Sequence, residues 1–192
     1  MVNYDEFLEE HIPKRQFGYF SDSELQGMTE KLPDEIVQFL TSEGICSYSN
    51  NFLWTTSPGH FNGVLAQWGL NESTCIPFLR TAFGAFIYYN RRNKKIYLLD
   101  PLLGRMMDLA EDLDDLLNMM LMLDTILENG FFINQFKHLS VDVQTLQPDE
   151  IVALFPALPL GGSFETSKEE VVKMKEHLIL LAQLSGGKAR RV

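Results

Sequence analysis

Two β-rich runs, Ala85 to Tyr89 and Lys95 to Leu99, flank the polar stretch Asn90-Arg91-Arg92-Asn93-Lys94. Alternating apolar runs joined by a short polar turn predict a β-hairpin. A lone hairpin is marginal in water, so this one requires neighbouring strands or a helix layer. Residues 102–109 are read as a third strand beside it, and Tyr48 to Thr56, built around Phe52 and Trp54, as a further strand.

Helical signals surround these strands. Asn3 is placed to cap a short helix, with Glu6 three residues on and Tyr4, Phe7 and Leu8 on one face, and Pro13 stops it. Residues 22–31 read as a less regular helical segment interrupted by Gly27. Pro33 opens a helix whose first turn holds Asp34 and Glu35 and whose end is marked by Gly44. Ser57-Pro58 begins another, with Phe61, Val64, Leu65 and Trp68 at i, i+3, i+4 and i+7 and Gly69 after it. Five acids, Asp108, Glu111, Asp112, Asp114 and Asp115, precede and open a helix running into the apolar stretch Leu116 to Leu123. Pro148-Asp149-Glu150 is read as the start of a short helix through Phe155, and Ser167 with Glu170 as the capping box of the last helix. That helix carries a stripe of Val171, Met174, Leu178, Leu181 and Leu184, and the basic residues after Gly186-Gly187 read as a mobile tail. The expectation is a mixed α/β (α+β) fold, helices packed on a small, mostly antiparallel sheet, in two closely associated parts. The parts are residues 1–104 and 105–185, followed by a basic tail at 186–192.

Charge narrows the function. The 192 residues carry a formal net charge of -10. Residues 1–45 hold ten acids against three bases, and residues 105–192 fourteen against eight. Such a chain repels phosphate backbones and associates faster with basic partners, so direct nucleic-acid binding is not expected. The acidic first residues lack the basic and apolar regions of a signal peptide, and Leu116 to Leu123 is far shorter than a membrane span. The expected location is the cytoplasm, with Cys46 and Cys75 as reduced, half-buried thiols. The methionines at 119, 120 and 122 read either as an adaptable binding surface or as core.

Catalytic motifs fail in turn. Gly161-Gly162-Ser163 lacks the closing glycine of a nucleophile elbow, and Gly186-Gly187-Lys188 ends a helix where a phosphate loop would begin one. His11, His60, His138 and His177 are scattered, with no metal-ligand spacing. Nothing local activates Cys46 or Cys75 for a pairing with His60. No catalytic residue, cofactor or metal is therefore expected.

The ordered series of segments nevertheless has a likeness. Phe17-Gly18, Leu32-Pro33-Asp34-Glu35 through Gly44, Asn51-Phe52-Leu53-Trp54, Ser57-Pro58 to Trp68, and Thr81 to Phe86 resemble the GAD-like domain family. Glu150-Ile151 through Phe155 to Gly162, and the final helix from His177 to Leu184, resemble the small domain that often follows it. Proteins with this pair resemble immunity proteins of bacterial type VI secretion systems. The resemblance implies a stoichiometric inhibitor without catalytic residues, whose partner is a cognate toxin, often a nuclease. It carries over no interface. The acidic balance supplies two candidates for a face that meets a basic DNase domain: Asp108, Glu111, Asp112, Asp114 and Asp115, and the N-terminal Asp5, Glu6, Glu9 and Glu10. Two other readings are an intracellular ligand-binding regulatory module, with Ala157 to Phe164 lining a small-molecule pocket, and a hydrolase using buried acids.

Overall fold

The structure is a computed structural model that describes residues 3–192. Helix α1 (Asp5–Glu10) leads into strand β1 (Pro13–Gly18), and helices α2 (Asp22–Thr29) and α3 (Asp34–Glu43) into strands β2 (Ile45–Tyr48) and β3 (Leu53–Thr55). A 3-10 turn at Pro58–Phe61 and helix α4 (Val64–Gln67) precede β4 (Cys75–Thr81), β5 (Phe86–Asn90), β6 (Lys95–Asp100) and β7 (Arg105–Ala110). Helix α5 (Leu113–Asn118), a 3-10 turn at Met120–Met122, α6 (Asp124–Asn129) and α7 (Ile133–Lys137) follow. The chain ends with β8 (Glu150–Phe155), β9 (Lys168–Lys173), α8 (Met174–Leu184) and β10 (Arg190–Arg191).

Strands β1 to β7 form an antiparallel meander in chain order, and β10 adds in parallel beside β7. The mixed, mostly antiparallel fold is as expected, but the sheet is large, with eight strands. Strands β8 and β9 pair separately. The predicted hairpin is β5–β6, in register from Phe86↔Leu99 to Asn90↔Lys95. The single strand expected over 48–56 is in fact two, β2 and β3, because Ser49, Asn50 and Asn51 all take positive φ and turn the chain back.

β4 was not anticipated. Every residue of it is buried, and Pro77, which would normally disqualify a strand, sits at a register shift in the β4–β5 pairing beyond the end of β3. The N-terminal helices are close to expectation. α2 is more regular than its glycine suggested, because Ser21 and Glu24 close a full capping box. At α1 the Asn3 side chain accepts from the Asp5 amide. The helix expected from Ser57 to Trp68 is broken at Gly63, whose φ of +81° ends the 3-10 turn and starts α4.

The C-terminal expectations need three corrections. Residues 150–155 and 168–173 are strands, where helix was expected. Isoleucine and valines favour a pleated pair, and Ser167 bonds to the Pro156 carbonyl and the Ser163 amide, so it caps no helix. Helix α8 starts only at Met174. The tail is also not free, since Arg190 and Val192 donate to the Gly104 and Met106 carbonyls.

One core joins the parts. Trp68 donates from Nε1 to the Leu178 carbonyl at 3.2 Å, the Val152 amide donates to Ala82 at 2.8 Å, and a side chain at Gly84 would meet Ile151 and Leu178. The most demanding buried group is Arg80, which is fully enclosed. Its guanidinium lies 4.4 Å from the Trp54 ring centroid and donates to the carbonyls of Thr81, Gln147 and Pro148. Burial pulls its pKa down to about 9, opposed by the charges of Asp149 and Glu150, so it stays protonated at neutral pH.

Two predictions follow from these buried groups. Arg80→Lys keeps the charge but loses the planar fork, and costs about 1.5–3 kcal/mol in urea unfolding. Burial also lowers the pKa of His11, His60 and His177 below the ordinary 6.5. The fold therefore holds them neutral, while the unfolded chain takes up protons as the pH falls through 6.5. Their stabilising contribution is complete above that pH and is lost below it. Melting temperature should drop from pH 7 to pH 5, and less steeply in His177→Phe, which removes one imidazole of lowered pKa and breaks no hydrogen bond at its Nε2.

Candidate partner-binding face

Helix α5 uses most of the acids that precede it. Asp112 is the N-cap and accepts from the Asp115 amide at 2.9 Å, while the Asp115 carboxylate accepts from the Glu111 amide at 2.9 Å. The pair satisfies two donors that a helix start leaves open. Asp114 accepts from Asn118 Nδ2, which also donates to the Asn3 carbonyl. Two acids are matched by cations. Arg191 holds both oxygens of Asp108, at 2.7 and 2.9 Å, and Lys95 pairs with Glu111.

Helix α1 is different. Asp5, Glu6, Glu9 and Glu10 are exposed and make no ion pair among the described residues. The helix is held by its opposite side: Phe7 packs edge-on against Phe39 and Tyr48, and Tyr4 against Phe39. His11, just past its end, is buried and neutral. Its Nε2 donates to the Leu121 carbonyl at 2.7 Å, and its Nδ1 faces the Ser49 hydroxyl at 2.8 Å. Those bonds, with the Asn118–Asn3 bond, seat α1 along α5 and the 3-10 turn behind it.

The two acidic clusters, Asp5 to Glu10 and Asp108 to Asp115 and thus far apart in sequence, therefore lie on touching elements. Helix α6 extends the face, since it packs on the same 3-10 turn and exposes Asp124 and Glu128. Sequence reading passed over these two, because Asp124 registered only as the end of an apolar run. The cationic tail residue Arg191, which neutralises Asp108, was also missed, since parallel pairing of a terminal strand has no local signature.

Other candidates fare differently. Both thiols are buried, and burial raises their pKa, which makes them poor nucleophiles. His60 bonds to Thr56, at 3.3 Å, and to neither cysteine. No group of His, Cys, Asp and Glu side chains among the described residues could hold a metal. The Ala157 to Phe164 loop is partly self-packed: Phe164 lies against Phe83 and Phe132, and a side chain on Gly162 would strike the Pro156 carbonyl. Leu158 and Pro159 border a shallow depression of about 500 Å³ with Lys188 and Arg190. No helix among the described residues is long and apolar enough to cross a membrane.

Comparison with known proteins places this geometry. The model of the GAD-like domain matches residues 2–100. The chain belongs to the GAD-like domain family. Residues 110–185 match a second family, described as T6SS immunity protein Tdi1, C-terminal. That match supports an immunity role in the type VI secretion system and a non-enzymatic inhibitor. A crystal structure of Atu4351 from Agrobacterium tumefaciens is similar to this GAD-like protein with a TM-score of 0.71 and 17% identity. The similarity covers 94% of this chain and 89% of that one, and it is a likeness of fold. No curated protein matches. The candidate face draws α1 from the GAD-like segment and α5 and α6 from the Tdi1-like segment, so both families contribute to it.

The roles of the acids can be separated. Asp112→Ala removes a helix cap and should cost about 1 kcal/mol of stability in denaturant unfolding. Glu9→Ala and Glu10→Ala touch no such bond and should leave stability within about 0.5 kcal/mol.

Proposed function

We propose that this protein neutralises a secreted antibacterial nuclease by binding it stoichiometrically and covering or deforming its active site, inside the cell that makes both. The observation that carries the reading is the match of residues 110–185 to a type VI secretion immunity family. Charge supports the finer part. A nuclease presents cationic surface to its substrate phosphates, and an inhibitor that meets that surface with carboxylates gains both complementarity and steering. The acids of α1 and α6 are the free charges on the candidate face, and those of α5 are tied into the fold. The inhibitor acts in the cytoplasm and needs no cofactor, because its work is occlusion.

The test is co-expression with each candidate type VI nuclease domain of the same organism, followed by titration in vitro of the one whose toxicity it relieves; relief of none would sink the reading. Growth should be restored, and plasmid cleavage should fall linearly to zero at one inhibitor per toxin. Continued cleavage at molar excess, or protection at far less than one equivalent, would sink the reading. In the triple variant Glu6→Lys, Glu9→Lys, Glu10→Lys, each reversed exposed charge is worth about 0.5–1 kcal/mol, so affinity should fall about 10- to 100-fold. Its association rate should also lose most of its salt dependence. Unchanged affinity and salt slope would remove the acidic face from the interface.

A further inference from the structure

Three large apolar side chains lie open to solvent in the middle of the acidic face. Met119 is 59% exposed, Leu123 47% and Ile12 68%. Met119 and Leu123 flank the Met120–Met122 turn, while Leu121, between them, is wholly buried and anchors it. Ile12 follows His11, whose ring holds the Leu121 carbonyl. The three are therefore carried by adjoining segments, an apolar ridge along which Met120 and Met122 are half-buried in the turn between Met119 and Leu123 and Ile12 stands beside that turn. The elements packed on that turn carry the exposed acids Glu6, Glu9 and Glu10 of α1, Asp112 and Asp114 at the start of α5, and Asp124 and Glu128 of α6.

An apolar centre inside a charged rim is the anatomy of a protein interface. Exposed apolar side chains gathered in one place signal a partner in a way that isolated ones do not. Methionine adds adaptability, since its unbranched thioether repacks against irregular surfaces. A strand-rich core that buries aromatics as large as Trp54 and Trp68 had the means to bury this turn as well.

We propose that the Ile12–Met119–Leu123 ridge is the energetic centre of the toxin interface, and that it receives an apolar side chain presented within a basic segment of the toxin. The inference rests on the neutralisation reading. The rim decides the occupant. A second copy of this chain would bring acids against acids, whereas a cationic segment meets the exposed carboxylates of α1, α5 and α6. A neighbouring groove of about 610 Å³, lined by Leu127, Ile133 and Phe136, continues from Ile12. Lys14 and Lys137 stand in its wall with Glu10, so its charge is mixed and it suits the apolar continuation of the same segment. Rim and ridge then have separable duties: the acids set the rate of encounter, and the ridge sets the lifetime of the complex.

The experiment uses the full chain and a catalytically inactive variant of the toxin domain whose active form passes the titration above. The double variant Met119→Ser, Leu123→Ser alters only exposed side chains and should fold normally, which a melting curve checks. Its dissociation rate should rise about tenfold or more, with association rate and salt slope unchanged. A photo-crosslinking residue at 119 or 123 should capture the toxin, and one at the exposed Lys175 of α8 should not. If the wild type binds the toxin while the double variant dissociates at the same rate, the ridge is not the centre, though neutralisation stands. If crosslinks from 119 join two copies of this chain in the toxin's absence, the ridge is a dimer contact and the proposal is overturned. If the wild type forms no complex, the neutralisation reading has failed and the ridge with it.

Discussion

The connecting segment 143–148, which opens on a 3-10 turn at Val143–Thr145, is tied to the sheet by side-chain donors. Arg15 donates to Gln144 and Leu146, Asn51 to Val143, and Arg80 to Gln147 and Pro148. With Val143 and Leu146 buried between them, these three side chains fix how the chain crosses from α7 to β8. Arg80 bears the most, because a guanidinium taken fully out of water is costly unless its charge is answered, and its two terminal nitrogens carry the bonds while Nε is left without a partner. The indole face of Trp54 and the nearby Asp149 and Glu150 answer it. Everything C-terminal to this point, including the docking of β8 against Ala82 and of α8 against Trp68, depends on that crossing.

The same economy of polar groups separates the acids. Carboxylates that cap α5 or meet Arg191 and Lys95 are consumed by the fold, and removing them perturbs structure as well as charge. The carboxylates of α1 and α6 have no such duty. They cost the chain self-repulsion and return solubility and attraction for a basic partner. The ridge between them shows the same logic in apolar form. Its middle residue, Leu121, secures the turn, and the flanking Met119 and Leu123 remain in water. In the proposed complex this surface is ready in advance, since rearrangement on binding would reduce the affinity gained.

Much of the N-terminal half could be read from the sequence, and for identifiable reasons. α3 has a proline start, an acidic first turn and a glycine end. The β5–β6 hairpin has its polar turn, with Lys94 at positive φ. Where reading failed, tertiary pairing overrode a local pattern. Residues 75–81 drew no prediction, and Pro77 sits at the register shift that lets them join the sheet. Ser167 and Glu170 had the spacing of a capping box, but Ser167 was taken by the Pro156 carbonyl, and the valines after it paired with β8. The basic tail carries too few apolar residues to predict order, and the open edge of β7 orders it.

By itself the sequence determined the mixed fold class, the acidic balance, the failure of every catalytic motif, and a family resemblance that the comparisons bear out for both segments. Each of these depends on residues near one another in the chain or on simple totals. Only the tertiary structure decided that α1, α5 and α6 share a face, which carboxylates on it are already matched, and that methionine and leucine stand exposed at its centre. Those facts depend on which distant groups meet, and the periodicity of a single segment carries no information about its neighbours in space.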